Sequence, residues 1–260
     1  MTLYLSKIDV DFPTARRLAL WDDYRWHQAV WQAFPNRSEK SREFLTRVDR
    51  APNSFRAWLL SPEAPQPPFW GHWQIKPVAD TFLSHNRYVF SLRASPTRKK
   101  PSKEIDERRQ REGKRLPYKN SKRVPILEVD GPGGLRAWIE TKGMDHGFTI
   151  DESKETGAPL SITKEPRHRL WIEEVRNGNG ALHRNPSPSI WVHSVLFEGV
   201  LVVTNRDTFR QVFYGRTDPR SPGLTIRGIG SAKGFGFGML VLDPRPASQV
   251  LTTHHQTTKT

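Results

Sequence analysis

Apolar and polar side chains alternate through Leu3-Tyr4-Leu5-Ser6-Lys7-Ile8-Asp9-Val10, the period-two signature of a half-buried strand. Asp11-Phe12-Pro13-Thr14 breaks the alternation. From residue 21 to 34 the period lengthens. At about 100° per residue, Trp26, Val30 and Ala33 share one row, and Tyr24, His27, Trp31 and Phe34 an adjoining one. Arg25, Gln28 and Gln32 lie opposite. This predicts an amphipathic helix, opened by Asp22 and Asp23, whose carboxylates suit its positive end, and stopped by Pro35. Residues 38–50 read as a second, charged helix with Phe44, Leu45 and Val48 inward. Residues 55–60, 69–75 and 88–94 read as strands. A further helix recurs at Leu135, Trp138, Ile139 and Lys142, launched by Gly131-Pro132-Gly133-Gly134. Strand, helix, strands, helix is the βαββαβ plan of an α+β fold.

The second half repeats the plan less legibly. Residues 160–162 and 170–175 read as strands around a basic turn, Lys164-Glu165-Pro166-Arg167-His168-Arg169, and residues 190–203 as one long strand. Asn205 reads as the cap of a short helix holding Phe209, Val212 and Phe213, and Met239-Leu240-Val241-Leu242 as the last strand. The expected organisation is one unit over 1–150, a second over 151–246 and a disordered tail over 247–260, whose His254 and His255 are assigned no metal.

Before the last strand, residues 228–238 hold Gly228, Gly230, Gly234, Gly236 and Gly238 around a single lysine, Lys233. Such a run packs poorly as helix or strand, but it can turn amide N–H groups toward an anion. A P-loop is excluded by the spacing and by the missing hydroxyl after the lysine. A dinucleotide fingerprint is excluded because a strand, not a helix, follows. Lys233 to Phe237 matches the start of an RNA-recognition signature, yet Gly238-Met239-Leu240 departs from its continuation. A turn with no ligand remains the plain alternative. His27, taken alone, is most simply a hydrogen-bonded core residue, and no histidine or carboxylate at i+4 completes a metal site around it.

Charge narrows the choice. The 260 residues carry 41 Lys and Arg against 27 Asp and Glu, a net charge of +14. Thirteen of those cations and only four acids lie in residues 93–123, an almost apolar-free segment expected to stay mobile until it meets phosphates. A polyanionic partner follows, nucleic acid before a membrane surface. The chain has no cysteine, which removes disulfides, Fe–S clusters and Cys-ligated zinc. No run approaches the roughly 18 apolar residues of a membrane span, and the first residues lack a signal-peptide pattern. A soluble cytoplasmic protein is expected.

Five stretches in register resemble one family. They are the opening Leu3-Tyr4-Leu5-Ser6-Lys7, the helix from Asp23 to Trp31 running into Phe34-Pro35-Asn36-Arg37, Leu92-Arg93-Ala94-Ser95-Pro96, residues 194–201, and Gly228-Ile229-Gly230-Ser231-Ala232-Lys233. Over residues 3–243 the chain resembles the CasE (Cse3) family of CRISPR repeat-RNA endoribonucleases from type I-E Cascade. The resemblance implies two tandem ferredoxin-like domains. It also implies metal-independent cleavage of precursor CRISPR RNA at the base of the repeat hairpin, with no cofactor, after which the protein stays on the guide's 3′ hairpin. Implied partners are that RNA and the Cas7-type backbone, Cas5-type and Cas8-type Cascade subunits. By residue it assigns catalysis to His27, Tyr24 and Lys233. RNA contacts would fall to Arg93, Arg98, Lys99, Lys100, Arg108, Arg109, Arg111, Lys114, Arg115, Lys119, Lys122 and Arg123, to Lys164, Arg167 and Arg169, and to Gly230, Ser231 and Gly234. The long basic segment, an insert over 217–223 and Ser231 in place of a frequent proline depart from the family pattern.

The residues permit that chemistry. RNA brings its own nucleophile, the 2′-hydroxyl. His27 can take its proton or give one to the leaving 5′-oxygen, Tyr24 can position it, and Lys233 with the loop amides can stabilise the pentavalent oxyanion. Products would be a 2′,3′-cyclic phosphate and a 5′-hydroxyl. Two rivals stand beside this: an RNA-hairpin-binding module that does not cut, and a carboxylate-metal nuclease, for which the sequence offers no convincing acidic cluster.

Overall fold

The computed structural model describes residues 2–35, 44–100, 122–155, 157–172, 174–176, 182–184, 189–218 and 221–244. The alternating opening forms β1 (Tyr4–Asp11), and Asp11 caps the short α1 (Phe12–Arg17) by accepting the Thr14 amide at 2.6 Å. Then come α2 (Asp23–Trp31), β2 (Leu45–Arg50), β3 (Ser54–Ser61) and β4 (His72–Pro77). These strands make one antiparallel sheet in the order β2-β3-β1-β4. β1 and β3 hold its centre, the ferredoxin-like order. The crossover from β3 to β4 carries Pro62, Pro65, Pro67 and Pro68 and no helix.

Further along lie β5 (Arg87–Ala94), β6 (Thr97–Lys100), β7 (Lys122–Pro125), α3 (Leu135–Asp145), β8 (Phe148–Ile150), β9 (Ser161–Trp171), β10 (Glu174–Arg176) and β11 (Leu182–Arg184). They are followed by β12 (Ser189–Val203), α4 (Arg206–Tyr214), β13 (Arg216–Asp218), β14 (Ser221–Ile226) and β15 (Leu240–Asp243). The second sheet runs β15-β5-β12-β8, with β9 also paired to β12, which repeats the first sheet's order. β6 with β7 and β13 with β14 form two-stranded hairpins inserted into it. The fold is α+β with tandem ferredoxin-like units.

Three sequence expectations need correction. The sheets divide the chain between residues 77 and 87, not at 150, so the strand at 88–94 and the helix from Leu135 belong to the second unit. The alternation of β5 reads the same in either sheet, and its partners β12 and β15 lie far downstream. Residues 45–50 are a strand, not a helix. Phe44, Leu45 and Val48 fit either period, and the open edge of β3 pairs all six residues of β2, where β-branched Thr46 and Val48 are at home. The basic stretch 164–169 is strand rather than turn. Pro166 and Arg167 together stand opposite His193 in a bulge, where a residue without an N–H is tolerated. The expected tail over 247–260 lies outside the described residues.

The largest core cluster joins the second sheet to α3 and α4 and takes in Leu3, Leu45 and Leu60 of the first unit. A second cluster packs Trp26, Ala29, Val30 and Ala33 of α2 and its C-terminal extension against Ile8, Val10, Ala57 and Leu59, which bears out the predicted helix face. A third, small cluster (Leu170, Ile172, Val192, Phe237) has Tyr24, Ala232 and Phe235 packed against it. There β9, the glycine-rich loop and α2 meet. No described helix is long and apolar enough to cross a membrane.

Candidate active site

Both acids at the start of α2 reach β9. Asp22 caps the helix through Oδ1, which accepts the Arg25 amide at 2.9 Å, while Oδ2 accepts the Trp171 amide of β9 at 3.0 Å. Asp23 Oδ2 lies 2.5 Å from His168 Nδ1, and the His168 ring sits edge-on to Phe237. The first turn of α2 is thereby fixed to β9 and to the end of the loop. On that turn Tyr24 packs against Phe235, ring centroids 6.1 Å apart. One turn on, His27 is 6% exposed, 5.1 Å from the Phe44 ring, and its Nε2 accepts the Trp31 indole N–H at 2.9 Å. That arrangement suits a neutral imidazole with its proton on Nδ1. His27 is more enclosed than its place at the edge of the predicted aromatic face implies.

The loop is closed at its neck, where Ile229 donates to Gly238 O at 2.9 Å and Gly238 to Arg93 O at 2.8 Å. Only glycine fits there. At Gly238 φ is +82° and a Cβ would lie 2.4 Å from Ile229 O. Inside the loop Ala232 takes φ 58° and opens a 3-10 turn, Lys233–Phe235. Tyr24 therefore packs on the turn that carries Lys233, which joins segments two hundred positions apart.

Lys233 lines a cleft of about 520 Å³ with Lys142, His146, Trp138, Arg216 and Ser231, and with Arg98 and Arg123 from the β6–β7 hairpin. Burial, and then the cations Arg216 and Lys142, push the Lys233 ammonium below its usual range. Burial and the same two cations bring His146 down to about 4, so it stands neutral among positive charges. Such a cleft is built for an anion: each phosphate that entered would relieve repulsion already present. His27 and Tyr24 do not line it.

The other predicted residues divide by position. Arg98 and Arg123 reach the cleft, and Lys99 is exposed beside them on the hairpin. Lys100 and Lys122 pair across the hairpin's far end. Lys164, Arg167 and Arg169 are exposed on β9. Gly230 and Ser231 line the cleft, whereas Gly234 lies within the 3-10 turn. Arg108, Arg109, Arg111, Lys114, Arg115 and Lys119 lie outside the described residues. Arg93 is not available to RNA as expected. Its guanidinium makes two bonds to Glu165, at 2.7 and 2.9 Å, and one each to Val48 O and Asp49 Oδ1. Sequence reading missed His146, Lys142 and Arg216. The spacing of Lys142 and His146 by one helical turn was the available signal, and Arg216 had none. Among the described residues no group of three or more His, Asp or Glu could hold a metal ion.

A family model described as CRISPR associated protein matches residues 3–244. The chain belongs to the CRISPR-associated protein family. It is 24% identical over 249 residues to the CRISPR system Cascade subunit CasE of Escherichia coli (strain K12), a match covering 93% of this chain and 100% of that one. Among solved structures it is similar to Thermus thermophilus Cse3 bound to an RNA representing a pre-cleavage complex. There the TM-score is 0.62 at 21% identity, covering 94% of this chain and 100% of that one. It is also similar to Cas6e from Escherichia coli str. K-12, with a TM-score of 0.59 at 23% identity over 93% and 100% of the two chains. At these identities the likeness carries the fold. The insert expected over 217–223, after α4, falls in the β13–β14 hairpin. Ser231 donates its hydroxyl to Ser95 O at 2.7 Å and ties the loop to the end of β5.

Proposed function

We propose that this chain is an endoribonuclease that cleaves CRISPR precursor RNA at a repeat hairpin and remains on that hairpin within a Cascade complex. The observation that carries the reading is the packing of the Lys233 turn on the helix of Tyr24 and His27, in a chain of this family. Relatives named as a Cascade subunit, as an endoribonuclease bound to a 19 nt RNA, and as part of an RNA-guided surveillance complex support it.

In this reading the 2′-hydroxyl attacks the adjacent phosphate in line, the 5′-oxygen leaves, and the products are a 2′,3′-cyclic phosphate and a 5′-hydroxyl. His27 exchanges the proton, either from the nucleophile or to the leaving oxygen. Tyr24 orients the ribose or phosphate, and Lys233 with neighbouring amides holds the added negative charge. Arg98, Arg123 and Lys164 grip the stem by its backbone and A-form shape. No step calls for a metal.

The test is incubation of the pure protein with a hairpin repeat RNA in EDTA, beside a copy carrying 2′-deoxy at the scissile nucleotide. Cleavage of the first and not the second is expected. His27→Ala should slow it by roughly 10² to 10⁴ and Lys233→Ala by about 10². One observation favours a second reading: His27 is nearly enclosed, is bonded to Trp31 and does not line the Lys233 cleft. Under it the protein holds the hairpin without cutting. Tight binding of an RNA that stays intact would establish that alternative.

A further inference from the structure

The outer surface where β9 pairs with β12 carries a feature that gripping a duplex does not use. Trp171 and Trp191 are 38% and 54% exposed there. Arg169 stands directly across from Trp191 in the ladder and two residues before Trp171. Its guanidinium carbon lies 5.1 Å from the Trp171 ring centroid and 5.7 Å from that of Trp191, while Arg167 lies 5.3 Å from Trp191. Arg169 Nε donates to Ser189 Oγ at 2.8 Å, which holds the fork in place. Among the described residues neither arginine forms an ion pair with a carboxylate. The patch thus combines two large π faces with two uncompensated planar cations.

From this we infer that Trp171, Trp191, Arg167 and Arg169 form a stacking platform for unpaired nucleotides that flank the hairpin. The inference rests on the RNA reading above. A duplex stem offers an RNA-binding protein phosphates, 2′-hydroxyls and a shallow groove, for which arginines suffice and flat indoles do not. Unpaired bases expose their faces, and those stack on tryptophan and on guanidinium planes while the same cations meet the backbone. The net charge of +14 favours a polyanion over a neutral or basic protein surface. Location adds a reason for flanking nucleotides. The Trp171 amide is bonded to Asp22, the cap of α2, so the stretch of β9 that bears the platform also meets the helix of Tyr24 and His27, with Leu170 and Ile172 turned toward Tyr24 and Trp171 toward the outer face.

Binding of two RNAs tests this, each with 2′-deoxy at the scissile nucleotide: the hairpin alone, and the hairpin with a single-stranded flank of about six nucleotides. The wild-type protein should bind the flanked RNA more tightly. A Trp171→Ala/Trp191→Ala double variant should lose about tenfold or more on the flanked RNA alone, within the range of one stacked base. Phe at both positions should restore most of it. A double variant with unchanged affinity for flanked RNA would overturn the platform, as would an equal loss on both RNAs, which would mean a contact to the stem. Unchanged RNA binding with failure to enter an assembled Cascade complex would make the patch a protein-docking face instead, and would also overturn it. If the wild-type protein ignores the hairpin altogether, the functional reading fails separately. The platform then stands or falls on whether a free six-nucleotide strand binds the wild type and not the double variant.

Discussion

His146 ends α3 and faces the same cleft as Lys233. Its proton affinity is set by surroundings and not by its helix end. A helix C-terminus favours imidazolium, but burial, Arg216 and Lys142 outweigh that and bring the group from 6.5 to about 4. The sign of the consequence is fixed. Above pH 6.5 the ring is neutral in both folded and unfolded chains, and the full contribution to stability is present. As pH falls from there toward 4, the unfolded chain takes up a proton that the folded one refuses, and stability drops. Between pH 7 and pH 5 this one group should remove about 2 kcal/mol. Urea denaturation at the two pH values should show that loss in the wild type and a correspondingly smaller one in His146→Gln. Equal losses in both would refute it. Sequence offered only the one-turn spacing of Lys142 and His146, because the other perturbing cation, Arg216, comes from a hairpin some seventy residues later.

At the scale of elements, α2 was legible and its docking was not. The row of Trp26, Val30 and Ala33 marked the buried face, and the two aspartates marked the start. That Asp22 would also accept an amide from β9 could not be read, since the pairing spans 149 positions. Asp22→Ala should remove both bonds and lower stability by about 1 to 2 kcal/mol, with slower cleavage because the helix start loses its fixed point. Asp22→Asn keeps the capping oxygen but sets an NH2 against the Trp171 amide, and should recover only the capping part of the stability. Denaturation midpoints and single-turnover rates check this, and an alanine variant as stable as the wild type would contradict it. β2 shows the opposite failure. Its residues satisfied a helical spacing, and the free edge of β3 decided for strand.

For the whole molecule, the two sheets are stitched by arginines that looked like RNA ligands or surface charge. Arg93 of β5 reaches Val48 and Asp49 of β2 and Glu165 of β9, while Arg47 of β2 donates to Ser91 Oγ of β5 at 2.9 Å. Burial raises the Glu165 carboxyl, but the Arg93 guanidinium and the Ser194 hydroxyl outweigh it and hold it below its usual range. Arg93→Ala would leave the Glu165 carboxylate without its ion partner, while Asp49 keeps Arg47 at 3.0 Å, and should cost about 3 to 5 kcal/mol. Arg93→Met with Glu165→Gln should cost less than Arg93→Ala alone, because no buried carboxylate is left unpaired at Glu165. Denaturation of the variants tests this, and a double variant weaker than the single would reject it. The loop around Lys233 closes onto the backbone of this same Arg93, so damage to the stitch should also reach the site.

What the chain's order of residues determined by itself was local. Strand and helix periods, the helix caps at Asp22 and Asn205, the turn-forming glycines and the basic excess all follow from neighbours within a few positions. Which sheet received β5, whether 45–50 would be strand, and which cations lined the cleft and which met acids were decided only on folding. Each depends on partners remote in the chain, and a free strand edge or a buried carboxylate exists only once those partners have come together.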